Sequence, residues 1–323
     1  MVTLRRTPRT NMVLMQASLL AVGVSASGSA QAAVDEACTG VRFADLGWTD
    51  IALATTTAQQ ILERLGYETS SDLLALGVTY EALKNDEMDV FMGNWQPAQD
   101  VEFAQYYDEG WVEVLGVNLE GAKYTLAVPN YVAEAGVRSF DDLAAHAEEF
   151  DSSIYAIEPG SNEQLLQMIA ADRHGLGEWE LVETSEQAML AEVEGAIQDG
   201  KWIVFLGWEP HPMNGKIEMT YLEGGDETMG PNFGGSTVRT IARAGFNEDC
   251  PNAAKFMSQL NFDLDYENVG MGKILDEGAA VEDTAMEMMR QHPERVARWL
   301  EGVTTREGEP ALPVIETMLA EGQ

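Results

Sequence analysis

Three times in this sequence a short β-favouring run reaches a glycine and then a tryptophan. The fullest copy is Ile203-Val204-Phe205-Leu206-Gly207-Trp208-Glu209-Pro210-His211. Val90-Phe91-Met92-Gly93-Asn94-Trp95-Gln96-Pro97 is a near copy, and Val41-Arg42-Phe43-Ala44-Asp45-Leu46-Gly47-Trp48-Thr49-Asp50 is a looser one. Apolar runs of this length read as buried strands, and glycine and proline are expected to stop them, leaving the tryptophan on the turn. Ligands of α/β proteins sit in the crevice at the carboxyl ends of strands. Trp48, Trp95 and Trp208 are therefore candidates for one pocket. The competing assignment for any tryptophan is packing, and Trp111, Trp179, Trp202 and Trp299 are assigned to it.

The pattern around these runs alternates strand and helix. Val41–Leu46 reads as a strand, and Ala58, Ile61, Leu62 and Leu65 follow at helical spacing. Leu73–Leu76 is the next candidate strand, Thr79 a helix cap, and Asp89–Met92 the strand leading to Trp95. Further strands are expected at Lys123–Val128, Tyr155–Ile157, Leu181–Val182, Ile217–Leu222 and Val238–Ala242. Ser139-Phe140-Asp141-Asp142 is a capping box, Thr184 to Gln187 caps another helix, and the chain beyond Pro251 is mostly helical. Alternation of this kind predicts an α/β fold. Return of the late strand to the first sheet gives two α/β domains, 33–121 with 223–323 and 122–222. They are joined by a two-crossing hinge, near Gly121 and Tyr221, with a ligand cleft between them.

Arg5, Arg6 and Arg9, an apolar run from Met12 to Val24, and Ala30-Gln31-Ala32 form a predicted secretory signal peptide over residues 1–32. The run is too short to span a membrane. What remains carries 16 Lys and Arg against 54 Asp and Glu, a surface that repels nucleic acid and anionic lipid. Its two cysteines, Cys38 and Cys250, are read as a disulfide in an oxidising compartment, with two free thiols as the alternative. Neither cysteine nor histidine spacing suggests a metal site.

No nucleophile elbow, phosphate-binding loop or dinucleotide fingerprint is present, and His211 has no identifiable serine or cysteine partner. No catalytic residue and no cofactor is assigned. The motifs instead offer aromatic faces with few cations among them. A quaternary ammonium has no N–H to donate, so aromatic faces around its desolvated charge are what recognise it. Tyr124, at a predicted lobe crossing, is the fourth wall.

Phe43–Asp50 (FADLGWTD), Phe91–Pro97 (FMGNWQP), Gly121–Ala127 (GAKYTLA), Glu158–Gly160 (EPG) and Phe205–Asn214 (FLGWEPHPMN) together resemble the periplasmic substrate-binding proteins of quaternary-amine ABC importers, the choline binders above all. The resemblance covers nearly all of the mature chain. It implies a two-lobed type II periplasmic binding protein fold and a box of Trp48, Trp95, Tyr124 and Trp208 around a trimethylammonium group. It also implies that Asp50 accepts a hydrogen bond from the ligand hydroxyl, and that an Asn after the EPG turn contributes. In this sequence Ser161 takes that Asn's place and Asn162 follows; Asn162 is the expected contact and Ser161 the rival. The implied protein is a periplasmic monomer that delivers choline to a membrane permease, for osmoprotection or catabolism. Glycine betaine or another methylated compatible solute is the runner-up ligand. Choline-ester hydrolysis is the reading from another class. A carboxylate near the box repels betaine's carboxylate and suits choline's hydroxyl, which favours choline. Lys123 and Arg239 are expected to be solvated rather than turned inward.

Overall fold

The computed structural model describes residues 38–321, so the predicted signal peptide, residues 1–32, lies outside the described residues. The strands are β1 (Gly40–Asp45), β2 (Glu68–Leu73), β3 (Val90–Gln96), β4 (Val112–Pro129), β5 (Ser153–Ala156), β6 (Glu180–Glu183), β7 (Val204–Glu209), β8 (Met219–Tyr221) and β9 (Ser236–Arg243). They are hydrogen-bonded in the order β2-β1-β3-β9-β4-β7-β5-β6, with β8 on β4. β1, β2 and β3 run parallel, as do β5, β6 and β7, and helices connect them as βαβ units require.

β4 joins the two parallel sets. From Val112 to Ala122 it pairs with β9, Ala122 lying opposite Ser236. From Lys123 to Ala127 it pairs with β7, Lys123 opposite Glu209 and Tyr124 opposite Trp208. The switch is possible because β4 is 18 residues long, three times the usual strand. Residues 124–129 are buried on both faces, as a strand covered on both sides must be. β9 is antiparallel to β3 as well as to β4, so the late strand does return to the first set. The helices Leu264–Glu277 and Val281–Gln291 then cover the helix Thr49–Arg64.

Three local expectations are corrected. The second strand is Glu68–Leu73, not Leu73–Leu76; its sequence ETSSDL is polar because it is an exposed sheet edge. Thr79 lies inside the helix Leu76–Lys84 rather than at its cap, and its hydroxyl donates back to the Ala75 carbonyl. Trp95 and Trp208 lie within strands, not on turns beyond them. The preceding glycines are sites of close approach: a Cβ on Gly207 would come 2.9 Å from the Tyr221 ring, and one on Gly93 would come 2.7 Å from the Phe91 ring. Both Gln96-Pro97 and Glu209-Pro210 are cis, and the strands end there.

Cys38 and Cys250 form a disulfide, with Cα atoms 5.1 Å apart and 212 residues between them in sequence. It ties the start of β1 to the helical segment that follows β9. Closing so long a loop restricts the unfolded chain strongly. Replacing both cysteines by serine is expected to lower unfolding free energy by about 3–5 kcal/mol, read from denaturant titration; an unchanged midpoint would show that the bond does not restrict the unfolded chain.

Candidate functional site

Both parallel sets direct the carboxyl ends of their strands at one cavity. It is lined by Trp48, Asp50, Trp95, Ala98, Gln99, Tyr124, Ile157, Ser161, Glu186 and Trp208. All four aromatic rings named from the sequence are present, each at most 7 % exposed. The register explains two of them. Tyr124 and Trp208 are direct cross-strand partners of β4 and β7, so their side chains stand on the same face. Trp95, at the end of β3, has its ring centroid 6.1 Å from that of Tyr124 and tilted by 48°. A Cβ on Gly234 would lie 2.0 Å from the Tyr124 carbonyl oxygen, so only glycine lets the loop before β9 rest against this wall.

Trp48 is placed differently. It precedes the helix Thr49–Arg64 in extended conformation, and its Nε1 donates to Glu158 Oε2 at 3.0 Å. The other oxygen of Glu158 accepts from the backbone N–H of Glu186 at 3.2 Å. One carboxylate of the EPG turn therefore fixes both an aromatic wall and the start of the helix Glu186–Asp199. Tyr124 donates its hydroxyl to the Ser161 carbonyl at 2.8 Å; burial, with Glu158 and Glu183 nearby, pushes that hydroxyl far above its ordinary range, so it stays a donor.

The cavity is acidic. Asp50 and Glu186 line it, and among the described residues no Lys or Arg does. Burial, then the charge of Glu186, push the Asp50 carboxyl up to about 7, while backbone N–H groups at its helix start act against them. Glu267, also buried, has a carboxyl raised well above its ordinary range by burial and by Asp50. Glu186 accepts from Thr49 Oγ1 at 3.1 Å and faces His211 Nε2 at 3.4 Å. The backbone N–H of Met213 donates to His211 Nδ1 at 3.0 Å, which assigns the ring proton to Nε2 and makes that nitrogen the donor to Glu186. Among the described residues no cluster of three or more His, Cys, Asp or Glu is placed to hold a metal ion.

Asn162 does not line the cavity. Its Nδ2 donates to the carbonyls of Ile157 and Glu158 and to Glu183 Oε1, at 2.9, 3.0 and 2.9 Å, which holds the turn together. Ser161 does line it, and its buried Oγ has no hydrogen-bond partner. Lys123 pairs with Glu209. Arg239 donates to Asn94 Oδ1 at 2.8 Å and covers the Tyr107 ring. Neither cation lines the cavity. The sequence reading missed Glu186, Gln99 and the supporting roles of Glu158 and His211. Glu186 opens a helix separated by two residues from β6, without the glycine that marked the tryptophans, so no sequence signal singled it out.

A family model described as the substrate binding domain of the ABC-type glycine betaine transport system matches residues 39–291. The chain is 47 % identical to an ABC-transporter choline binding protein solved in complex with choline, with TM-score 0.86 over 88 % of this chain and 99 % of that one. Against a choline binding protein in an unliganded semi-closed conformation, identity and coverage are the same and the TM-score is 0.81. Lactococcal OpuAC, closed on glycine betaine, is 27 % identical, with TM-score 0.73 over 81 % of this chain and 99 % of that one.

Because Asp50 is raised to about 7, it exchanges a proton in the neutral range. A cation entering the cavity favours the ionised form, so binding releases a proton below that value and weakens as pH falls through it. Carboxyl-carbon resonances should show Asp50 titrating near pH 7 in the ligand-free protein, a signal that Asp50→Asn removes. Titration only in the ordinary carboxylate range would contradict the account.

Proposed function

The chain belongs to the family of substrate-binding domains of ABC-type glycine betaine transport systems, and on that premise we propose that this substrate-binding protein of an ABC importer takes choline as its ligand. Its fold is the two-lobed type II fold of that group. The observation that carries the reading is the cavity itself: four aromatic rings, two buried carboxylates and no cationic side chain among the lining residues. The trimethylammonium group sits among Trp48, Trp95, Tyr124 and Trp208, each face contributing about 0.5–2 kcal/mol. The ligand hydroxyl donates to Asp50 and meets Ser161, whose place on the cavity wall favours it over Asn162.

The lobes are 33–121 with 223–323, and 122–222; the change of β4 from β9 to β7 between Ala122 and Lys123 supports that division. The box draws on both, because Trp48 and Trp95 belong to the first and Trp208 to the second. Ligand contacts then complete only in the closed state and favour it. The closed monomer delivers its ligand to a permease at the outer face of the membrane, in the periplasm. It performs no covalent chemistry: both ring nitrogens of His211 are engaged, by Met213 and Glu186, which argues against ester hydrolysis. Glycine betaine is the ligand in the family's description, but its carboxylate would enter beside Asp50 and Glu186.

Titration calorimetry on two variants tests the box. Trp208→Ala is expected to weaken choline and tetramethylammonium alike, by roughly three- to thirtyfold. Asp50→Asn should weaken choline more than tetramethylammonium, which has no hydroxyl. Near-normal affinity in Trp208→Ala would remove that ring from the site, and equal losses in Asp50→Asn would remove the hydroxyl contact.

A further inference from the structure

Two helices begin at the wall of the cavity, and each carries a carboxylate in its first turn. Asp50 opens Thr49–Arg64, and Glu186 opens Glu186–Asp199. A helix N-terminus is by default an anion site, because its unpaired N–H groups and dipole attract negative charge. In this protein Asp50 at the first N-terminus and Glu158 at the second already take that place. Ser185 Oγ accepts from the Ala188 N–H, Glu158 accepts from the Glu186 N–H, and Glu186 itself, 2 % exposed, lines the cavity.

The two acids are not equivalent. Asp50 has backbone N–H donors at its own helix start, yet burial and the charge of Glu186 hold it near the point of protonation. Glu186 has Thr49 Oγ1 and His211 Nε2 as side-chain donors. Besides His211, the ionisable groups around them include Asp45, Glu158 and Glu267, which are acids as well. Among the described residues no Lys or Arg is therefore placed to balance Glu186.

Building on the choline reading, we propose that Glu186 is the fixed counter-charge of the site. It balances the ligand's quaternary ammonium and repels a ligand carboxylate. Asp50 is left to the hydroxyl. Selectivity for a cation over a zwitterion then comes from a residue outside the aromatic box.

The test compares wild type with Glu186→Gln, a substitution of the same shape that keeps an oxygen acceptor for Thr49, by calorimetry with four probes. These are choline, tetramethylammonium, glycine betaine and dimethylbutanol, the uncharged carbon isostere of choline. Thermal unfolding of the variant checks that it is folded. Choline and tetramethylammonium are expected to lose affinity by the same factor, roughly ten- to a hundredfold for a unit charge at close range. Dimethylbutanol should bind both proteins equally, and the choline-to-betaine ratio should fall. A folded variant that binds both cations within about twofold of wild type would overturn the proposal, as would equal losses for the uncharged probe. Should the variant not fold, wild type alone decides: dimethylbutanol binding as tightly as choline overturns a counter-charge. Failure of wild type to bind choline and tetramethylammonium would instead overturn the choline reading, and the inference with it.

Discussion

Two carboxylates buried in one aromatic-walled cavity, with no cationic side chain among the residues that line it, are the condition on which the rest of this structure depends. Removing a carboxylate from water costs several kcal/mol unless hydrogen bonds or an opposite charge offset it, and a second one nearby adds repulsion. The protein answers part of this cost with fixed donors. Helix starts, the Thr49 hydroxyl and the His211 ring support the two acids. The remainder is carried by Asp50, which takes a proton near neutrality. What the cavity lacks is a positive charge that needs no hydrogen bonds, and aromatic faces are the surroundings such a charge tolerates in the absence of water.

The sheet makes this arrangement possible. Because β4 leaves β9 and joins β7 within one continuous strand, the aromatic ends of β3 and β7 arrive at the same place. Register then sets Tyr124 opposite Trp208. Glu158 links the two sides a second time, holding Trp48 with one oxygen and the Glu186 backbone with the other. Lys123, next to Tyr124 in sequence, and Arg239, opposite Asn94 in the ladder of β3 and β9, are drawn off by Glu209 and Asn94. The negative potential of the cavity is thereby kept intact.

Much of this was legible in the sequence, and the exceptions have physical causes. The buried strands announced themselves by apolar runs, and the aromatic walls by their place at strand ends. β2 was hidden because an edge strand exposed to solvent has no need of apolar residues. Gly93 and Gly207 were read as stops, whereas rings pack against the strand at both positions; sequence does not distinguish a turn from a close approach. Asn162 has the side chain suited to a ligand hydroxyl, but its amide secures the turn, and Ser161 faces the cavity. Glu186 was one acid among 54 Asp and Glu, and only the packing of its helix start against the cavity sets it apart.

The central claim is that this cavity is built for a cation bearing a hydroxyl rather than for a zwitterion. Titration calorimetry of the ligand-free protein with choline and, separately, glycine betaine at matched pH and salt tests it most directly. The account predicts that choline binds at least about tenfold more tightly, a difference of roughly 1.4 kcal/mol. Equal affinity, or a preference for glycine betaine, would contradict it.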